Sequence, residues 1–337
     1  MHNKSLNSYL RKASVAKKDD FYTQLTDIEK ELKNYKKFFK NKIVYCNCDD
    51  PSISNFFHYF SFNFKKLELK KLITTCYQNQ QRDFFSNNSS KQAIYLEYEG
   101  DINKNNIPDF DKIDVKKLKG DGDFRSEECI NLLKQADIVV TNPPFSLFRE
   151  FISQLFEYKK KFIILGHQNA IAYKEIFKFI KSNELRLGFD NGGTKWFGVN
   201  DDYEIETESR KKIIDGKKYF SMGNLVWFTN LNIVKKNDNL ILYKKFNKND
   251  YPKYDNYNAI NVNKTTDIPI DYKGKIGVPI TFLNKHNPND FEIIDGLNRY
   301  SILEGPTIKT RGKYLSQVNG KPLYIRIIIK SKKLNKI

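Results

Sequence analysis

The sequence predicts an α/β fold in which helices cover both faces of a mostly parallel, twisted sheet. Two observations indicate this fold. Short and continuously apolar runs, such as Ile138–Thr141, are typical of strands that are buried on both faces. Amphipathic helical patterns separate these runs, and such an alternation of strands and helices is characteristic of parallel sheets.

The composition bounds the class of protein. Of the 337 residues, 39% are hydrophobic, which is enough to bury a core and excludes wholesale disorder. No apolar run reaches the ~18 residues that a membrane span needs. Four cysteines in so long a chain do not form a disulfide scaffold and favour a reducing, cytoplasmic environment. The net charge of +18 fits either an anionic partner or a solvated, lysine-rich surface.

Pattern and charge divide the chain into three segments. Residues 1–20 are polar and basic without a clear period, so we expect a peripheral arm. Residues 21–233 carry the strands and helices of the main domain. Residues 234–337 form a basic C-terminal region, in which the stretch 235–337 has 20 Lys and Arg against 9 Asp and Glu. Such an excess of positive charge is expected of a module that contacts phosphates.

The first half of the main domain contains two predicted helices and three predicted strands. The first helix starts at a capping box formed by Thr26 and Glu29. The elements that follow are a strand at Ile43–Tyr45, a helix from Ile53 to Leu67, and strands at Leu72–Thr75 and Ala93–Leu96.

The second half continues the same alternation up to about residue 180. Its predicted elements are a short helix around Ile130–Leu133, a strand at Ile138–Thr141, a helix at Leu147–Leu155, a strand at Phe162–Leu165 and a helix at Tyr173–Ile180. Beyond about residue 190, glycine, tryptophan and alternating segments predict hairpins and loops instead.

The most distinctive segment follows the strand at Ile138–Thr141 and reads Asn142-Pro143-Pro144-Phe145. Two successive prolines fix φ and hold the segment in one extended shape. The side-chain oxygen of Asn142 and the carbonyl oxygen of Pro143 are then two acceptors beside the flat ring of Phe145. Two acceptors next to an aromatic ring suit an exocyclic amine on a flat heterocycle.

This segment resembles the (Asn/Asp)-Pro-Pro-(Tyr/Phe) motif of amino-group DNA methyltransferases, and the wider sequence is similar to the EcoRI-type adenine modification methylase family. The resemblance covers nearly the whole chain, from about residue 15 to 330. The segments that carry it, in the order of the family, are Asp20–Leu25, Val44–Pro51, Gly122–Ser126, Ala136–Glu150, Asn224–Asn230 and Gly277–Leu283.

The resemblance implies a Rossmann-like, class I methyltransferase with a C-terminal DNA-recognition region. It implies transfer of a methyl group from S-adenosylmethionine to adenine N6 in double-stranded DNA, after the base has been flipped out of the helix. Asn142, Pro143, Pro144 and Phe145 are the implied catalytic residues. The implied biology is a monomeric cytoplasmic enzyme that protects DNA from a cognate restriction endonuclease.

The resemblance also places the methionine end of the cofactor beside Tyr22 and Thr23. Cys48, Asp49 and Asp50 form the first strand-to-helix turn, where most such methyltransferases have a glycine-rich sequence. Either Asp49 or Asp50 is expected to bind the ammonium group of the cofactor.

The resemblance places the adenine end of the cofactor beside the segment Gly122–Ser126. Asp123 is expected to accept a hydrogen bond from the cofactor adenine, Phe124 to pack on its ring, and Asn142 to lie beside the transferred methyl group. The acidic residue for the cofactor ribose is either Glu97 or Glu99, unless both are exposed charges on a strand.

Aromatic residues are needed to hold a flipped base, and Phe145 is the first candidate. The opposing ring is expected from Trp227 and Phe228, which we prefer, or from Trp196.

No cysteine or histidine spacing predicts a metal site. Contacts to base edges of the DNA are expected from four basic residues, unless their charges are simply solvated at the surface. These residues are Arg299, Arg311, Lys313 and Arg326. Two alternatives remain at this point, namely methylation of RNA or protein glutamine by the same motif, and a DNA-binding relative without catalysis.

Overall fold

The computed structural model describes residues 22–48, 54–77, 93–100, 115–199, 207–221, 223–233, 240–297 and 316–335. The α-helices in these ranges are α1 (Leu25–Leu32), α2 (Lys36–Phe39), α3 (Asn55–Phe62), α4 (Glu127–Gln135), α5 (Phe148–Glu157) and α6 (Lys174–Lys181). The first nine strands are β1 (Tyr22–Thr23), β2 (Ile43–Asn47), β3 (Lys71–Cys76), β4 (Ile94–Tyr98), β5 (Val115–Lys117), β6 (Ile138–Thr141), β7 (Lys161–His167), β8 (Arg186–Leu187) and β9 (Trp196–Gly198). The other nine are β10 (Lys211–Ile214), β11 (Lys217–Ser221), β12 (Leu225–Thr229), β13 (Ile260–Asn261), β14 (Ile276–Pro279), β15 (Phe291–Leu297), β16 (Gln317–Val318), β17 (Lys321–Pro322) and β18 (Arg326–Ser331).

The described residues form two compact units. One comprises the described residues up to Gln168 together with Gly188–Leu231, and the other comprises Asn169–Leu187 with the described residues from Asn232 onwards. The segment Asn169–Leu187, which the sequence predicts as part of the main domain, therefore groups with the C-terminal part of the chain. None of the helices in the described parts of the chain is long and apolar enough to cross a membrane.

The first unit contains a large mixed sheet. The strands of this sheet that belong to the first unit follow the order β5-β4-β3-β2-β6-β7-β12. The four central strands are parallel, because β2 pairs in parallel with β3 and β6, and β6 pairs in parallel with β7. The strands β4, β5 and β12 are antiparallel to their neighbours. The α/β class is confirmed, but the sheet is mixed rather than mostly parallel.

Burial explains why the central strands were easy to recognise. All four residues of β6 and five of the six residues of β3 are buried, as expected for strands that are covered on both faces. In α5 the residues Phe148, Phe151, Ile152 and Leu155 are buried at helical spacing. Sequence pattern and tertiary packing therefore agree in this part of the sheet.

The start of α1 differs from the expectation. The helix begins at Leu25 with Gln24 as its N-cap, and no side chain caps it, so Thr26 lies inside the helix. The physical reason is the preceding strand: β1 pairs with β9 and keeps the backbone extended through Thr23. The helix starts as soon as this pairing ends, before the capping box.

A second sheet in this unit has four antiparallel strands in the order β1-β9-β11-β10. It lies at the carboxyl edge of the large sheet, by which we mean the edge where β2, β3, β6 and β7 end. Two connections show this. Asn55 at the start of α3 donates a hydrogen bond to the carbonyl oxygen of Thr23, at 2.8 Å. Ser221 at the end of β11 is followed closely by β12, whose first residue, Leu225, pairs with His167.

The C-terminal part of the second unit is built on a sheet with the order β13-β14-β18-β15. Arg326, expected to read bases or to be solvated, is instead buried in β18, where its guanidinium group donates to Asn261 Oδ1 at 3.3 Å. Its role is therefore structural. Arg299, Arg311 and Lys313 lie outside the described residues, and the structure leaves a DNA-recognition role for this region as a prediction.

Candidate active site

The Asn142–Phe145 segment lies at the carboxyl edge of the large sheet. The strand β6 ends at Thr141, and a short 3-10 helix begins at Phe145. The hydroxyl group of Thr141 donates a hydrogen bond to the carbonyl oxygen of Asn47, which ties together the ends of β6 and β2. Asn142 is half-buried and Phe145 is buried. The central parallel strands thus hold the segment in place at the edge where α/β sheets bind ligands.

Two buried oxygen atoms in the first unit suit a polar ligand. Thr23 is 4% exposed and Asn47 is 2% exposed. Among the described residues, no group hydrogen-bonds to Thr23 Oγ1 or to Asn47 Oδ1. Buried polar groups are almost always paired, so two such oxygens at the carboxyl edge indicate a ligand that supplies the missing donors. The ammonium and hydroxyl groups of S-adenosylmethionine are donors of this kind.

The turn that follows β2 places a non-glycine residue in a strained conformation. Cys48 has a φ of 68°, in the left-handed region that favours glycine. Cys48 therefore occupies a glycine-like position although the sequence has no glycine there. Asp49 and Asp50 lie outside the described residues, and of Tyr22 only the backbone, in β1, is described.

Substitutions at Cys48 should reveal this strain. We expect Cys48→Gly to keep the fold, and Cys48→Val to lower the free energy of unfolding by about 1–2 kcal/mol, because a β-branched residue tolerates the left-handed region poorly. Urea unfolding of the two variants measures the effect. A Val variant as stable as the wild type would show that the turn is not strained.

The loop that carries Asp123 is packed tightly against the end of β3. Gly122 has a φ of 79°, and a Cβ atom at this position would overlap the carbonyl oxygen of Cys76. Asp123 binds the guanidinium group of Arg125 at 2.7 Å, and this contact holds the pKa of its carboxyl group below the usual range. Phe124 is buried and packs edge-on against Phe151, with ring centroids 5.0 Å apart. An ionised Asp123 thus lies beside the end of β3, and its contact with the cofactor stays a prediction.

The two candidates for the cofactor ribose lie toward the wrong part of the sheet. Because β4 is antiparallel to β3, Glu97 pairs with Ile73, and Glu99 follows toward the amino end of β3. Both carboxylates bind the ammonium group of Lys71, at 3.3 Å and 2.9 Å. The expectation that Glu97 or Glu99 holds the ribose is therefore corrected: Glu97 is an ion-paired residue of β4, and Glu99 is an ion-paired residue just after this strand.

The preferred base-stacking residues are core residues. Trp227 and Phe228 are both 0% exposed. The ring of Trp227 contacts Phe56 edge-on, and the ring of Phe228 lies 5.2 Å from that of Phe148. No ring face is left for a nucleobase, so this expectation is corrected. Position in a fully buried strand is the physical reason.

Trp196, unlike Trp227, is partly exposed and lies beside a positive charge. It is half-buried in β9, and the ammonium group of Lys212 lies 5.6 Å from the centre of its ring. Aromatic rings beside cations are common where proteins bind single-stranded or flipped nucleotides. Trp196 therefore replaces Trp227 as the candidate partner of Phe145.

His167, the last residue of β7, is held in its neutral form. Burial lowers its pKa to about 4, and the nearby guanidinium group of Arg210 acts in the same direction. The pKa in an unfolded chain is about 6.5, so the unfolded state binds an additional proton between these two values. Stability must therefore fall as the pH falls through this window.

We expect the free energy of unfolding to decrease by about 1.5 kcal/mol between pH 6.5 and pH 5 on account of His167. The His167→Asn variant should lack this part of the pH dependence. Urea unfolding of both proteins across the window provides the measurement. Parallel curves for the variant and the wild type would show that His167 is not buried as a neutral group.

One buried carboxylate of the first unit is not among the residues singled out from the sequence. Glu31 on α1 is fully buried, and its carboxylate accepts hydrogen bonds from Tyr35 and from the backbone of Phe189 and Asp190. A signal was present: Glu31 interrupts the apolar face formed by Ile28, Leu32 and Tyr35. A carboxylate inside such a face must have buried partners.

Comparison with known proteins agrees with the sequence motifs. The family model described as adenine-specific methyltransferase EcoRI matches residues 9–332. The chain is 48% identical to type II methyltransferase M.EcoRI of Escherichia coli, with 100% of both chains covered. It is 41% identical to type II methyltransferase M.MgeORF184P of Mycoplasma genitalium, over 97% of this chain and 99% of the relative.

A third relative, type II methyltransferase M.MpnI of Mycoplasma pneumoniae, is 38% identical over 96% of this chain and 98% of its own. No solved structure matches the chain at a significant level. The family match covers nearly all of the sequence, including the Asn142–Phe145 segment at the carboxyl edge. The chain belongs to the EcoRI family of adenine-specific methyltransferases.

Proposed function

We propose that this protein is a site-specific DNA methyltransferase that transfers a methyl group from S-adenosylmethionine to adenine N6 in double-stranded DNA. The observation that carries the proposal is the position of the Asn142–Phe145 segment. It lies at the carboxyl edge of the sheet, tied by Thr141 to the end of β2, where Thr23 and Asn47 present buried oxygens. The description of the family as adenine-specific supports adenine as the target base, and the names of the relatives support a type II restriction–modification system.

The chemistry assigned to Asn142 follows from the electronic structure of the substrate. The lone pair of adenine N6 is delocalised into the ring, which makes the amine a poor nucleophile. Asn142 Oδ1 and the carbonyl oxygen of Pro143 accept the two amine hydrogens and favour a pyramidal nitrogen with a localised lone pair. S-adenosylmethionine supplies the electrophilic methyl group. Fixed acceptors that match the developing charge lower the barrier because they need no reorganisation.

The prolines contribute rigidity. Pro143 and Pro144 fix two φ angles, so the two acceptor oxygens keep their mutual orientation before the base arrives. Such preorganisation supplies a large part of the rate of a transfer in which nucleophile and methyl group must be in line. The amine proton leaves to water after transfer, so the carboxamide of Asn142 does not act as a base.

The target adenine must leave the helix to reach this segment. Flipping a base costs a few kcal/mol, and stacking on an aromatic side chain returns about 1–3 kcal/mol per base. Phe145 and Trp196 are the rings that we assign to this role. Thr23, Asn47 and Asp123 are assigned to the cofactor, together with Tyr22, Cys48 and the carboxylates that follow it.

Product analysis tests the proposal. The protein is incubated with methyl-labelled S-adenosylmethionine and duplex DNA, RNA or total protein. We expect label only in the DNA, and digestion should release N6-methyladenine. Label in RNA or in protein glutamine, or in DNA cytosine, would overturn the assignment. A duplex containing GAATTC is the first sequence to test, because the family is named after an enzyme that modifies this site.

A further inference from the structure

The hairpin formed by β10 and β11 has an unusual tip. Its turn consists of Asp215 and Gly216, which both have positive φ, at 49° and 73°. A two-residue turn of this kind joins the strands without a flexible loop. Directly before the turn, Ile213 and Ile214 are 62% and 39% exposed. Two adjacent isoleucines on a rigid, exposed tip are not explained by folding of the unit itself.

The pairing of the strands shows how these side chains are arranged. Ile213 lies opposite Lys218, and Ile214 lies opposite Lys217. Residues that pair directly share a face of the ribbon, and adjacent residues lie on opposite faces. Each face of the tip therefore presents one isoleucine beside one lysine. A hairpin that packs on a protein core would have only one apolar face.

The charge of the hairpin selects the class of partner. Lys211 and Lys212 precede the isoleucines, and Lys217 and Lys218 follow the turn, so four lysines flank the two apolar side chains. Lys211 lies 3.5 Å from Glu208, and Lys212 lies 5.6 Å from the centre of the Trp196 ring. An apolar tip flanked by ammonium groups is complementary to the grooves of nucleic acid, where base edges are bordered by phosphates.

We propose that the β10–β11 hairpin enters a groove of the DNA duplex beside the flipped base. Lys217 and Lys218 bind phosphates, and Ile213 and Ile214 pack against base edges. A two-stranded ribbon fits the major groove, and isoleucine side chains are known to wedge against base steps. The small sheet that bears the hairpin is anchored to the carboxyl edge through Thr23 and β12, the edge that carries Asn142. The inference rests on duplex DNA as the substrate.

The lysines are tested by the salt dependence of binding to a mixed-sequence duplex, measured by fluorescence anisotropy. Removal of two phosphate contacts in the Lys217→Gln/Lys218→Gln variant should reduce the slope of log K against log salt by about 2. The matched control is Lys65→Gln/Lys66→Gln, an exposed adjacent pair that precedes the amino end of β3. An unchanged slope in the hairpin variant, or an equal change in the control, would overturn the assignment.

The isoleucines are tested by Ile213→Thr/Ile214→Thr, which keeps two β-branched residues in the strand. We expect about tenfold weaker binding to the duplex and a similar loss of kcat/KM for methylation, with unchanged binding of S-adenosylmethionine. Ile270→Thr, at an exposed isoleucine outside the hairpin, is the control. Thermal unfolding checks that the variants are folded, and the single variant Ile214→Thr replaces the double variant if it is not.

The outcomes separate this inference from the proposed function. Wild-type methylation of DNA together with wild-type binding by the isoleucine variant would overturn the hairpin inference and leave the proposed function intact. Absence of DNA methylation by the wild type would overturn the proposed function. A change in oligomeric state of the isoleucine variant without DNA would show that the tip contacts protein, and would also overturn the inference.

Discussion

Replacement of Asn142 by alanine is expected to lower the turnover number of methyl transfer by about 10²–10³-fold, the size of effect seen when one preorganised polar contact to a reacting group is removed. The alanine side chain keeps the backbone of the segment but removes one of the two acceptors for the amine. Because the prolines still hold the segment in place, binding of duplex DNA and of S-adenosylmethionine should change by less than about threefold, a difference well below 1.4 kcal/mol.

Single-turnover kinetics with labelled S-adenosylmethionine and duplex DNA measure this effect separately from binding. Asn142→Asp is the informative companion, because a carboxylate retains an acceptor oxygen at the same position and should retain more activity than alanine. Asn131→Ala, at an exposed position on α4, is the matched control. Wild-type transfer by Asn142→Ala would remove the mechanism that we assign to the segment.

The central sheet was accessible from sequence because each of its signals is local. The strand at Ile138–Thr141 has the predicted bounds, and β7 extends the predicted Phe162–Leu165 by only one residue before and two after. A strand that is buried on both faces must be apolar throughout, and the turn that follows must carry the polar residues of the site. The Asn142–Phe145 segment was found for the same reason.

Strand direction was not accessible in the same way. The strand at β4 was predicted from its apolar residues, but nothing in those residues states that it runs antiparallel to β3. The direction decides whether Glu97 and Glu99 point toward the cofactor edge or away from it. Direction depends on how the connecting chain crosses the sheet, which is a tertiary property, and so the ribose assignment was wrong.

The choice between the two tryptophans failed for a related reason. Trp227 and Trp196 are each followed by phenylalanine, and each lies in a short strand. Their difference is the sheet to which they belong: Trp227 lies in the fully buried β12, whereas Trp196 lies in the small sheet at the carboxyl edge. Residue type alone carries no information about membership of a sheet.

Glu31 shows how a single buried carboxylate organises the segment that leads into β9 and Trp196. It accepts hydrogen bonds from the hydroxyl group of Tyr35 at 2.5 Å, and from the backbone nitrogens of Phe189 and Asp190 at 2.9 Å and 2.6 Å. Asp190 in turn binds the buried ammonium group of Lys195 at 2.6 Å. The chain that leads into β9 is therefore fixed by α1, and so is the position of the small sheet.

We expect Glu31→Ala to lower the free energy of unfolding by about 4 kcal/mol. It leaves the buried hydroxyl donor of Tyr35 and two part-buried backbone donors without an acceptor, at about 1–3 kcal/mol each, offset in part by the removal of a buried charge. Glu31→Gln should cost about 2 kcal/mol, since the amide keeps one acceptor oxygen but turns its NH₂ group toward backbone donors. Urea unfolding at pH 7.5 measures both, with the exposed Glu29→Ala of the same helix as control.

Substitution of Glu31 should also impair flipping of the target base, an effect that a loss of stability alone would not cause. If Glu31 positions the segment that carries Trp196, then Glu31→Gln, assayed where it is still folded, should bind S-adenosylmethionine normally and flip the target base less well. The fluorescence of 2-aminopurine at the target position reports flipping. Equal flipping by Glu31→Gln and the wild type would limit Glu31 to a role in stability. A Glu31→Ala protein within about 1 kcal/mol of the wild type, well below the expected loss of about 4 kcal/mol, would exclude that role too.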